Sequence, residues 1–345
     1  MKILVCGGAG FIGSNFVRRR LAETDDSIVV LDKLTYAGNR LNLAAVESVP
    51  DLARRFEFVL GDIADASVVG PLVGDADAVV NFAAESHVDR SILDADAFLR
   101  TGVIGVHVLL EAVRRQSAGR AKRLVQVSTD EIYGAVEQGL SVETDPLEPR
   151  SPYAAAKAAG ELLVRAYVVT HGVDALITRG ANTYGPFQHP EKLIPLFITN
   201  ALDDRDLPLY GDGLQQRDWL HVDDHADAVG FVLDHGTGGE AYNIAGGELC
   251  FNRDVTQRIL ELTGKPWTLV RSVPDRPGHD RRYAMDGKKL AALGWRPSIG
   301  FEDGLAQTVR WFTDNQGWWQ AMRSGDWLDY YERQYGWRLA ASTPA

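Results

Sequence analysis

The stretch KILVCGGAGFIG, residues 2–13, decides the fold. Its first part is an apolar run that predicts a buried β-strand, and its second part is a G-x-x-G-x-x-G turn before a predicted helix at 11–22. Glycines let the backbone turn tightly and approach a pyrophosphate, whose charge is met by the helix N-terminus. The succession of strand, glycine turn and helix therefore predicts a dinucleotide-binding unit.

The next predicted strand, residues 28–31, ends in Asp32, about 20 residues beyond the glycine turn. A carboxylate at this position accepts hydrogen bonds from both ribose hydroxyls of NAD and repels the 2′-phosphate of NADP. We therefore predict NAD as the cofactor, with NADP as a lesser alternative because Lys33 follows. The simpler interpretation of Asp32 is a strand-end cap.

Strands alternate with helices along the first half of the chain, which predicts a right-handed, doubly wound parallel sheet in an α/β, Rossmann-type fold. We expect an NAD-binding domain over residues 1–180, with a returning segment near 215–235, and a smaller α/β substrate domain over 181–345. Further predicted strands are 56–60, 78–82, 123–127 and 174–178, and long helices are predicted at 94–115 and 153–170.

Composition excludes several classes of partner. The chain has 345 residues and a net charge of -11, which argues against nucleic acid or an anionic membrane because each requires a basic face. No apolar stretch approaches the ~20 residues of a membrane span, and the apolar run at 3–6 is too short for a signal peptide. The two cysteines show neither disulfide nor zinc spacing, so we expect a cytoplasmic protein without a metal.

Two further motifs carry chemistry. The sequence STDE at 128–131 follows the predicted strand at 123–127, and Tyr153 precedes Lys157 by four residues, which places both on one helical face. The carboxyl ends of parallel strands are where open α/β sheets bind ligands. The motifs therefore offer an acid, a base and a phenol beside an ammonium. The simpler interpretations are an acidic cap at a helix N-terminus and a surface Tyr–Lys pair.

These motifs resemble those of the extended short-chain dehydrogenase/reductase superfamily, and within it the dTDP-glucose 4,6-dehydratase family. The resemblance runs from residue 7 to about 283. A small departure is the alanine after Tyr153, where the family often has serine. The matching segments are DKLTYAGN at 32–39, AESHVDRS at 84–91, STDEIYG at 128–134, NTYGPFQ at 182–188 and RPGHD at 276–280.

The resemblance implies oxidation of the glucosyl C4 by NAD, loss of water across C5 and C6, and return of the hydride to C6. It implies that Tyr153 is the base at C4, assisted by Thr129, and that Lys157 lowers the phenol pKa from its ordinary value of about 10. Glu131 is expected to remove the C5 proton and Asp130 to protonate the departing C6 hydroxyl. Adjacent carboxyls can hold opposite protonation states when burial or repulsion raises one pKa.

The expected ligands of these residues are NAD and a nucleotide-diphosphate sugar, dTDP-glucose. The cofactor residues are expected to be Gly7, Gly10, Phe11, Ile12, Gly13, Asp32, Lys33, Asp62, Ile63, Ala83, Tyr153 and Lys157. The substrate residues are expected to be Ser86, His87, Thr129, Asn182, Lys192, Leu193, Arg217, Asn252, Arg276, His279 and Tyr283.

Three alternatives remain open. The substrate of a 4,6-dehydratase can be another nucleotide sugar, such as UDP-glucose, and the chain can instead be a non-catalytic NAD sensor. Arg217 can pair with Asp218 or Asp223 rather than with a diphosphate. We also expect a homodimer, because related proteins pair their two long helices, here 94–115 and 153–170, into a four-helix interface.

Overall fold

The structure is a computed structural model that describes residues 1–116 and 122–344. The strands are β1 Lys2–Cys6, β2 Ser27–Asp32, β3 Phe56–Leu60, β4 Ala78–Asn81, β5 Arg123–Thr129, β6 Ala175–Gly180, β7 Asn182–Tyr184, β8 Leu207–Tyr210, β9 Gln216–His221, β10 Ala241–Ile244, β11 Leu249–Phe251, β12 Val270–Val273 and β13 Thr343–Pro344.

The helices alternate with the strands in the first half and gather at the C-terminus. They are α1 Phe11–Glu23, α2 Ala44–Ser48, α3 Pro50–Ala53, α4 Ala66–Asp75, α5 Val88–Leu93, α6 Asp96–Leu99, α7 Val106–Gln116, α8 Pro152–His171, α9 Leu193–Leu202, α10 Val222–His235, α11 Asn252–Thr263, α12 Lys288–Ala292, α13 Phe301–Asp314, α14 Gln316–Met322, α15 Asp326–Tyr331 and α16 Trp337–Ala340. Short 3₁₀ segments lie at Arg40–Leu43, Asp130–Tyr133 and Trp267–Leu269, and π-helical segments at Arg100–Gly105 and Glu332–Gly336.

The central element is a seven-stranded sheet in the order β10-β6-β5-β4-β1-β2-β3, and every pair in it is parallel. Its strands are apolar on both faces because helices cover both. In β1, Ile3 and Val5 join one core while Leu4 and Cys6 join the core on the other face. The predicted α/β, doubly wound fold is confirmed.

The second half builds a smaller lobe from two three-stranded sheets, β11-β9-β7 and β13-β12-β8. Its core buries aromatic side chains such as Trp219, Phe312 and Trp319. The chain also returns to the main sheet. Strand β10 pairs in parallel with β6. In addition, Ala226 and Val229 of α10 pack in the same core as Ile3 and Val5. The return therefore extends to residue 244, beyond the predicted 215–235, and the domain boundary at 180 stays a prediction.

The predicted helix at 94–115 is wrong in detail. The structure has α6, a π-helical segment at Arg100–Gly105 and then α7. A close approach to α8 accounts for this interruption, because a Cβ on Gly160 would lie 2.7 Å from the carbonyl oxygen of Gly102. Two backbones that approach so closely leave no room for side chains between them, and a π turn adjusts the path of the helix there.

Strand boundaries also differ from prediction. β5 extends two residues beyond the predicted 123–127, because Ser128 and Thr129 still pair with Arg179 and Gly180 of β6. The predicted strand at 174–178 likewise becomes 175–180. The acid motif therefore begins inside the sheet. Within the described part of the chain, no helix is long and apolar enough to cross a membrane.

Candidate active site

The glycine turn lies at the carboxyl end of β1, next to the end of β4. Gly7 has φ +74°, and a Cβ on it would stand 2.6 Å from the backbone nitrogen of Ala83. A Cβ on Gly13 would lie 2.3 Å from the carbonyl oxygen of Gly7. Both positions therefore require glycine, and together they bring the N-terminus of α1 against an open cleft.

Asp32 closes the far side of this cleft. Its Oδ2 accepts a hydrogen bond from the backbone N–H of Ala9 at 2.9 Å, and its Oδ1 accepts one from Leu34 at 2.8 Å. Burial raises the pKa of this carboxyl, and the two backbone donors oppose the rise. The carboxylate is thus held rigidly between the glycine turn and the loop after β2.

Lys33 points along the same cleft but is already engaged. Its Nζ lies 3.2 Å from Oε1 of Glu85 and donates to Oγ1 of Thr101 at 3.0 Å. The charge of Lys33, which is the reason for the NADP alternative, is therefore balanced by the buried carboxylate of Glu85.

The cleft gathers every residue predicted to bind the cofactor. Its walls include Gly7, Gly10, Phe11, Ile12, Gly13, Asp32, Lys33, Asp62, Ile63, Ala83, Tyr153 and Lys157.

A second cavity adjoins the cleft between the main sheet and the smaller lobe. Tyr153 lines both spaces, so its phenol stands at their junction. The predicted substrate residues that line this cavity are Ser86, His87, Thr129, Asn182, Lys192, Leu193, Arg217, Asn252, Arg276 and His279, together with Asp130 and Glu131.

Tyr283 is the one predicted substrate residue that does not line this cavity, and its part in substrate binding stays a prediction. Its ring lies under the guanidinium of Arg217 at 4.3 Å, and its hydroxyl donates to Asp280 at 2.8 Å. The side chain is buried behind Arg217 and supports it from the protein interior.

The acid pair lies on a short 3₁₀ turn, Asp130–Tyr133, which leaves the end of β5. Oγ1 of Thr129 accepts from the backbone N–H of Glu131 at 3.3 Å and donates to Oδ1 of Asp130 at 3.2 Å. Adjacent strand residues would point to opposite faces, but the turn lets both carboxyls enter one cavity. Among the described residues, Asp130 Oδ2 and Glu131 Oε2 are buried with no hydrogen-bond partner.

The two carboxyls differ in their surroundings. Burial raises the pKa of Asp130 well above its ordinary value, and the charges of Glu131 and Asp218 add to the rise. Burial also raises the pKa of Glu131, but Arg276, Lys192 and Arg217 oppose it. Asp130 is therefore the carboxyl that holds a proton more readily, and Glu131 is the one that ionises more readily of the two.

Desolvation has the largest effect on the pKa values of both Tyr153 and Lys157. Lys157 donates to the carbonyl oxygen of Val127 at 2.6 Å, and burial lowers its pKa to about 8. Burial and the charge of Glu131 raise the pKa of Tyr153, and a hydrogen bond with Thr129 opposes the rise. Desolvation is thus the largest effect of the protein itself on the phenol pKa, and the expectation that Lys157, with the positive field of the oxidised nicotinamide, lowers that pKa stays a prediction.

Cations line the outer part of the second cavity. Arg276 donates to Oδ1 of Asp89 at 2.7 Å, while its Nε is buried with no partner among the described residues. Arg217 donates to the backbone carbonyls of Gln216 and Asp280, at 2.9 and 2.8 Å. Its donors thus go to main-chain oxygens rather than to Asp218 or Asp223.

His87 and His279 are held by their neighbours. Nε2 of His87 lies 3.0 Å from the carbonyl oxygen of Glu191, and Nδ1 of His279 lies 2.6 Å from Asp275 Oδ1. Burial lowers the pKa of each histidine. Lys192 donates to the carbonyl oxygen of Ser86, which orients it along the cavity wall.

Sequence reasoning missed several lining residues. Asp89, within the quoted motif at 84–91, balances Arg276 and accepts from Gln334 at 2.9 Å. Tyr335 belongs to the C-terminal segment that packs in the core of the smaller lobe, yet it also lines the cavity. His225, whose pKa burial lowers to about 4, also lines it. No sequence signal marked Tyr335, because only the folded tail brings it near the motifs.

The fold and this site define a class of protein: an extended short-chain dehydrogenase/reductase, with a dinucleotide cleft beside a Tyr-x-x-x-Lys helix. The family model described as GDP-mannose 4,6 dehydratase matches residues 4–308. A dTDP-glucose 4,6-dehydratase of Streptomyces niveus is 50% identical over 332 residues, which cover 94% of this chain and 97% of the relative. The chain belongs to the 4,6-dehydratase family, with dTDP-glucose 4,6-dehydratases among its relatives.

Solved structures agree in fold. DesIV, a dTDP-glucose 4,6-dehydratase of Streptomyces venezuelae solved with NAD bound, has a TM-score of 0.89 and 52% identity, covering 93% of this chain and all of that one. A UDP-glucose 4-epimerase of Thermus thermophilus has a TM-score of 0.83 at 34% identity, covering 91% of this chain and all of that one. Since an epimerase shares the fold, the chemistry must be argued from the site.

Proposed function

We propose that this enzyme converts dTDP-glucose to dTDP-4-keto-6-deoxyglucose, with NAD as its cofactor. The observation that carries the proposal is the acid pair, two carboxyls of the cavity next to the dinucleotide cleft, of which Asp130 has the more strongly raised pKa and Glu131 has three cations that oppose the rise. An epimerization at C4 requires no elimination acid and base. The intact pair likewise disfavours a non-catalytic NAD sensor.

The cleft fits NAD on two grounds. Its glycine turn leaves space where any Cβ would collide, so a pyrophosphate can approach the backbone. Asp32 presents a fixed carboxylate where the adenosine ribose would lie, and a 2′-phosphate there would be repelled. When bound, NAD accepts a hydride from C4 of the sugar and gives it back at C6.

Tyr153 and Thr129 are proposed to handle the proton of the C4 hydroxyl. The phenol stands at the junction of cleft and cavity, and Thr129 lies beside it. The protein alone keeps the phenol protonated, so its ionisation depends on positive charge brought close to it. Lys157, held on the next turn of α8, supplies part of that charge.

Glu131 is proposed to remove the C5 proton, and Asp130 to protonate the C6 hydroxyl as it leaves. Three cations oppose the rise in the pKa of Glu131 and so favour the anion that a base must be, while burial and two nearby anions raise the pKa of Asp130 further and favour the protonated form that an acid must have. After water has left, Glu131 is protonated and Asp130 is ionised. The proton on Glu131 is then available to return to C5.

The diphosphate is proposed to lie against Arg217 and Arg276. Arg217 is buried and Arg276 partly buried in the cavity wall of an otherwise acidic protein, and Nε of Arg276 is buried with no partner among the described residues. A guanidinium offers paired donors that match phosphate oxygens.

The test is incubation of purified protein with dTDP-glucose, or separately with UDP-glucose, and no added cofactor. We expect a 4-keto-6-deoxy product from dTDP-glucose, seen by its near-ultraviolet absorbance in base, because NAD is regenerated in each turnover. Product from UDP-glucose alone would replace the proposed substrate. No product from any nucleotide sugar, by protein that carries NAD, would overturn the enzyme proposal.

We also propose a homodimer that acts in the cytoplasm. Exposed apolar side chains mark the two long helical segments predicted to pair: Ile104 is 50% exposed, Leu162 56% and Val169 85%. Leu162 and Val169 are seven residues apart, hence on one face of α8. Free thiols at Cys6 and Cys250 are in keeping with a reducing compartment.

A further inference from the structure

A fully buried ion pair lies behind the active site. Arg179 of β6 and Glu161 of α8 are both 0% exposed, and Nη2 of the arginine donates to Oε2 of the glutamate at 2.7 Å. Nε adds contacts of 3.2 and 3.1 Å to the two carboxylate oxygens. Neither side chain is part of the walls of the cleft or the cavity. A buried pair of this kind adds little net stability compared with apolar packing, so its place in the fold needs another reason.

The pair joins the elements that carry the two halves of the site. Glu161 follows Lys157 by four residues and Tyr153 by eight, so it lies on the same face of α8. Arg179 is in register with Ser128 of β5, next to the start of the acid turn. One side-chain contact therefore ties the Tyr–Lys helix to the strands that lead into the acid turn.

Tyr133 extends the network to the end of the acid turn. Its hydroxyl accepts from Nη1 of Arg179 at 2.6 Å and donates to Oδ1 of Asn243 at 2.8 Å. The guanidinium also lies over its ring at 4.9 Å, and Nη1 donates to the carbonyl oxygen of Glu143 at 3.0 Å. The phenol thus has one donor, one acceptor and a stacked cation, which leaves it a single orientation.

The acid turn needs such an anchor. It is a four-residue 3₁₀ segment, and 3₁₀ hydrogen bonds are poorer than those of an α-helix. Its cavity side carries two carboxyl oxygens that have no partner among the described residues, so no hydrogen bond fixes those atoms. Tyr133 and the Thr129 cap hold the turn at its two ends, while between them Ile132 is buried in the core and its carbonyl oxygen accepts from the backbone N–H of Glu148 at 2.8 Å.

We propose that Tyr133, Arg179 and Glu161 are positioning residues that hold the acid turn at a fixed distance from the Tyr153–Lys157 helix. The elimination of water then depends on the network more than the oxidation at C4 does. Oxidation uses groups on α8 and β5, which their own backbone ladders hold, whereas elimination uses the turn. This inference rests on the proposed function.

The test is Tyr133→Phe, which deletes the hydroxyl and leaves the ring under Arg179. In a single turnover with dTDP-glucose, the reduced nicotinamide formed on C4 oxidation is followed by its absorbance. Uptake of deuterium at C5 from D₂O and release of product are followed by mass spectrometry. We expect formation of the 4-keto-6-deoxy product, which requires the elimination, to slow about tenfold, while C4 oxidation changes less than about twofold.

Tyr242→Phe is the matched control. Tyr242 is also buried, its hydroxyl accepts from the backbone of Thr237 at 2.9 Å, and Lys289 lies 4.7 Å over its ring. Its hydroxyl hydrogen bond goes to Thr237 and not to the acid turn, so both steps should keep their wild-type ratio when the hydroxyl is removed. The ratio of the rates of these two steps does not depend on the folded fraction of the protein, because both rates are measured on the same molecules.

Two results would overturn the inference: an equal slowing of both steps in Tyr133→Phe, or the same change of ratio in Tyr242→Phe. Failure of the proposed function gives a different result. The wild-type protein would then release no product from any nucleotide sugar.

Discussion

Asp130 and Glu131 are neighbours in sequence and differ in the charges that face them. The charges of Asp218 and Glu131 raise the pKa of Asp130 and Arg217 opposes them, whereas Arg276 and Lys192 join Arg217 in opposing the rise at Glu131. Two carboxyls of similar intrinsic pKa can thus take an acid role and a base role at one pH. This asymmetry belongs to the folded cavity, since four of the five charged neighbours are remote in sequence.

The first prediction separates these roles with isosteric amides. Glu131→Gln should slow deuterium uptake at C5 by about a hundredfold, because general-base catalysis by a placed side chain contributes on that order. Asp130→Asn should spare C4 oxidation and slow elimination, since an amide cannot protonate the leaving hydroxyl. Single-turnover formation of reduced nicotinamide, alongside C5 exchange, measures both. Turnover of Asp130→Asn near the wild-type rate would remove Asp130 from the acid role.

The second prediction concerns pH. Burial lowers the pKa of Lys157 to about 8, and the charge of Glu161 opposes the decrease. Below that pH the ammonium keeps its charge, and above it the charge is lost. The rate of C4 oxidation should therefore fall as pH rises through about 8, because the positive charge near Tyr153 disappears. The check is a pH–rate profile with saturating dTDP-glucose.

Lys157→Arg is the control for this pH dependence. A guanidinium stays charged throughout the range, so the fall near pH 8 should vanish, although the larger group lowers the rate at every pH. If the wild-type profile instead falls only at about pH 10, the ordinary pKa of lysine, then burial of Lys157 does not govern the reaction.

At the scale of elements, the glycine turn and α1 form the part of the site that the sequence predicted most completely. A strand, three spaced glycines and an acid about 20 residues on have few geometric solutions, and the cleft gathers all of those residues. The returning strand β10 and Tyr335 were beyond prediction. Strand β10 joins the sheet, and Tyr335 joins the cavity, through contacts with residues far away in sequence. The local pattern of apolar and polar residues does not predict such contacts.

The third prediction tests the close approach at this turn. Gly13→Ala should destabilise the protein by about 1–3 kcal/mol and weaken NAD binding, since its Cβ would lie 2.3 Å from the carbonyl oxygen of Gly7. Urea unfolding and titration with NAD measure the two effects. The control is Gly317→Ala within α14, where a Cβ would meet nothing within 4 Å.

Gly317→Ala should raise stability by about 0.5–1 kcal/mol, because alanine loses less backbone entropy in a helix, and should leave NAD binding unchanged. Equal effects of the two substitutions would show that helix propensity, and not the approach of α1 to β1, decides the cost at Gly13.

At the scale of the whole molecule, the site lies at the junction of two units with separate cores. The main sheet supplies the cleft and the acid turn, and the smaller lobe supplies Arg217, Arg276 and His279. The tail packs in the lobe core and also reaches the cavity through Tyr335. A substrate that spans both units therefore binds only when they are docked together. The fold class and family predicted from the sequence are confirmed, whereas the individual roles of the site residues remain predictions.

The last prediction concerns assembly. If α8 pairs with its copy in a second molecule, a charge at Leu162 must be buried without a partner, so Leu162→Glu should shift the protein from dimer to monomer. Sedimentation at several concentrations measures the shift. Leu262→Glu is the control, because Leu262 is also half exposed, at 45% against 56%, but lies on α11 in the smaller lobe. Dissociation by both variants would point to a general loss of structure, and a dimeric Leu162→Glu protein would place the interface elsewhere. Since α8 also carries Tyr153 and Lys157, dissociation should slow C4 oxidation in proportion to the monomer fraction.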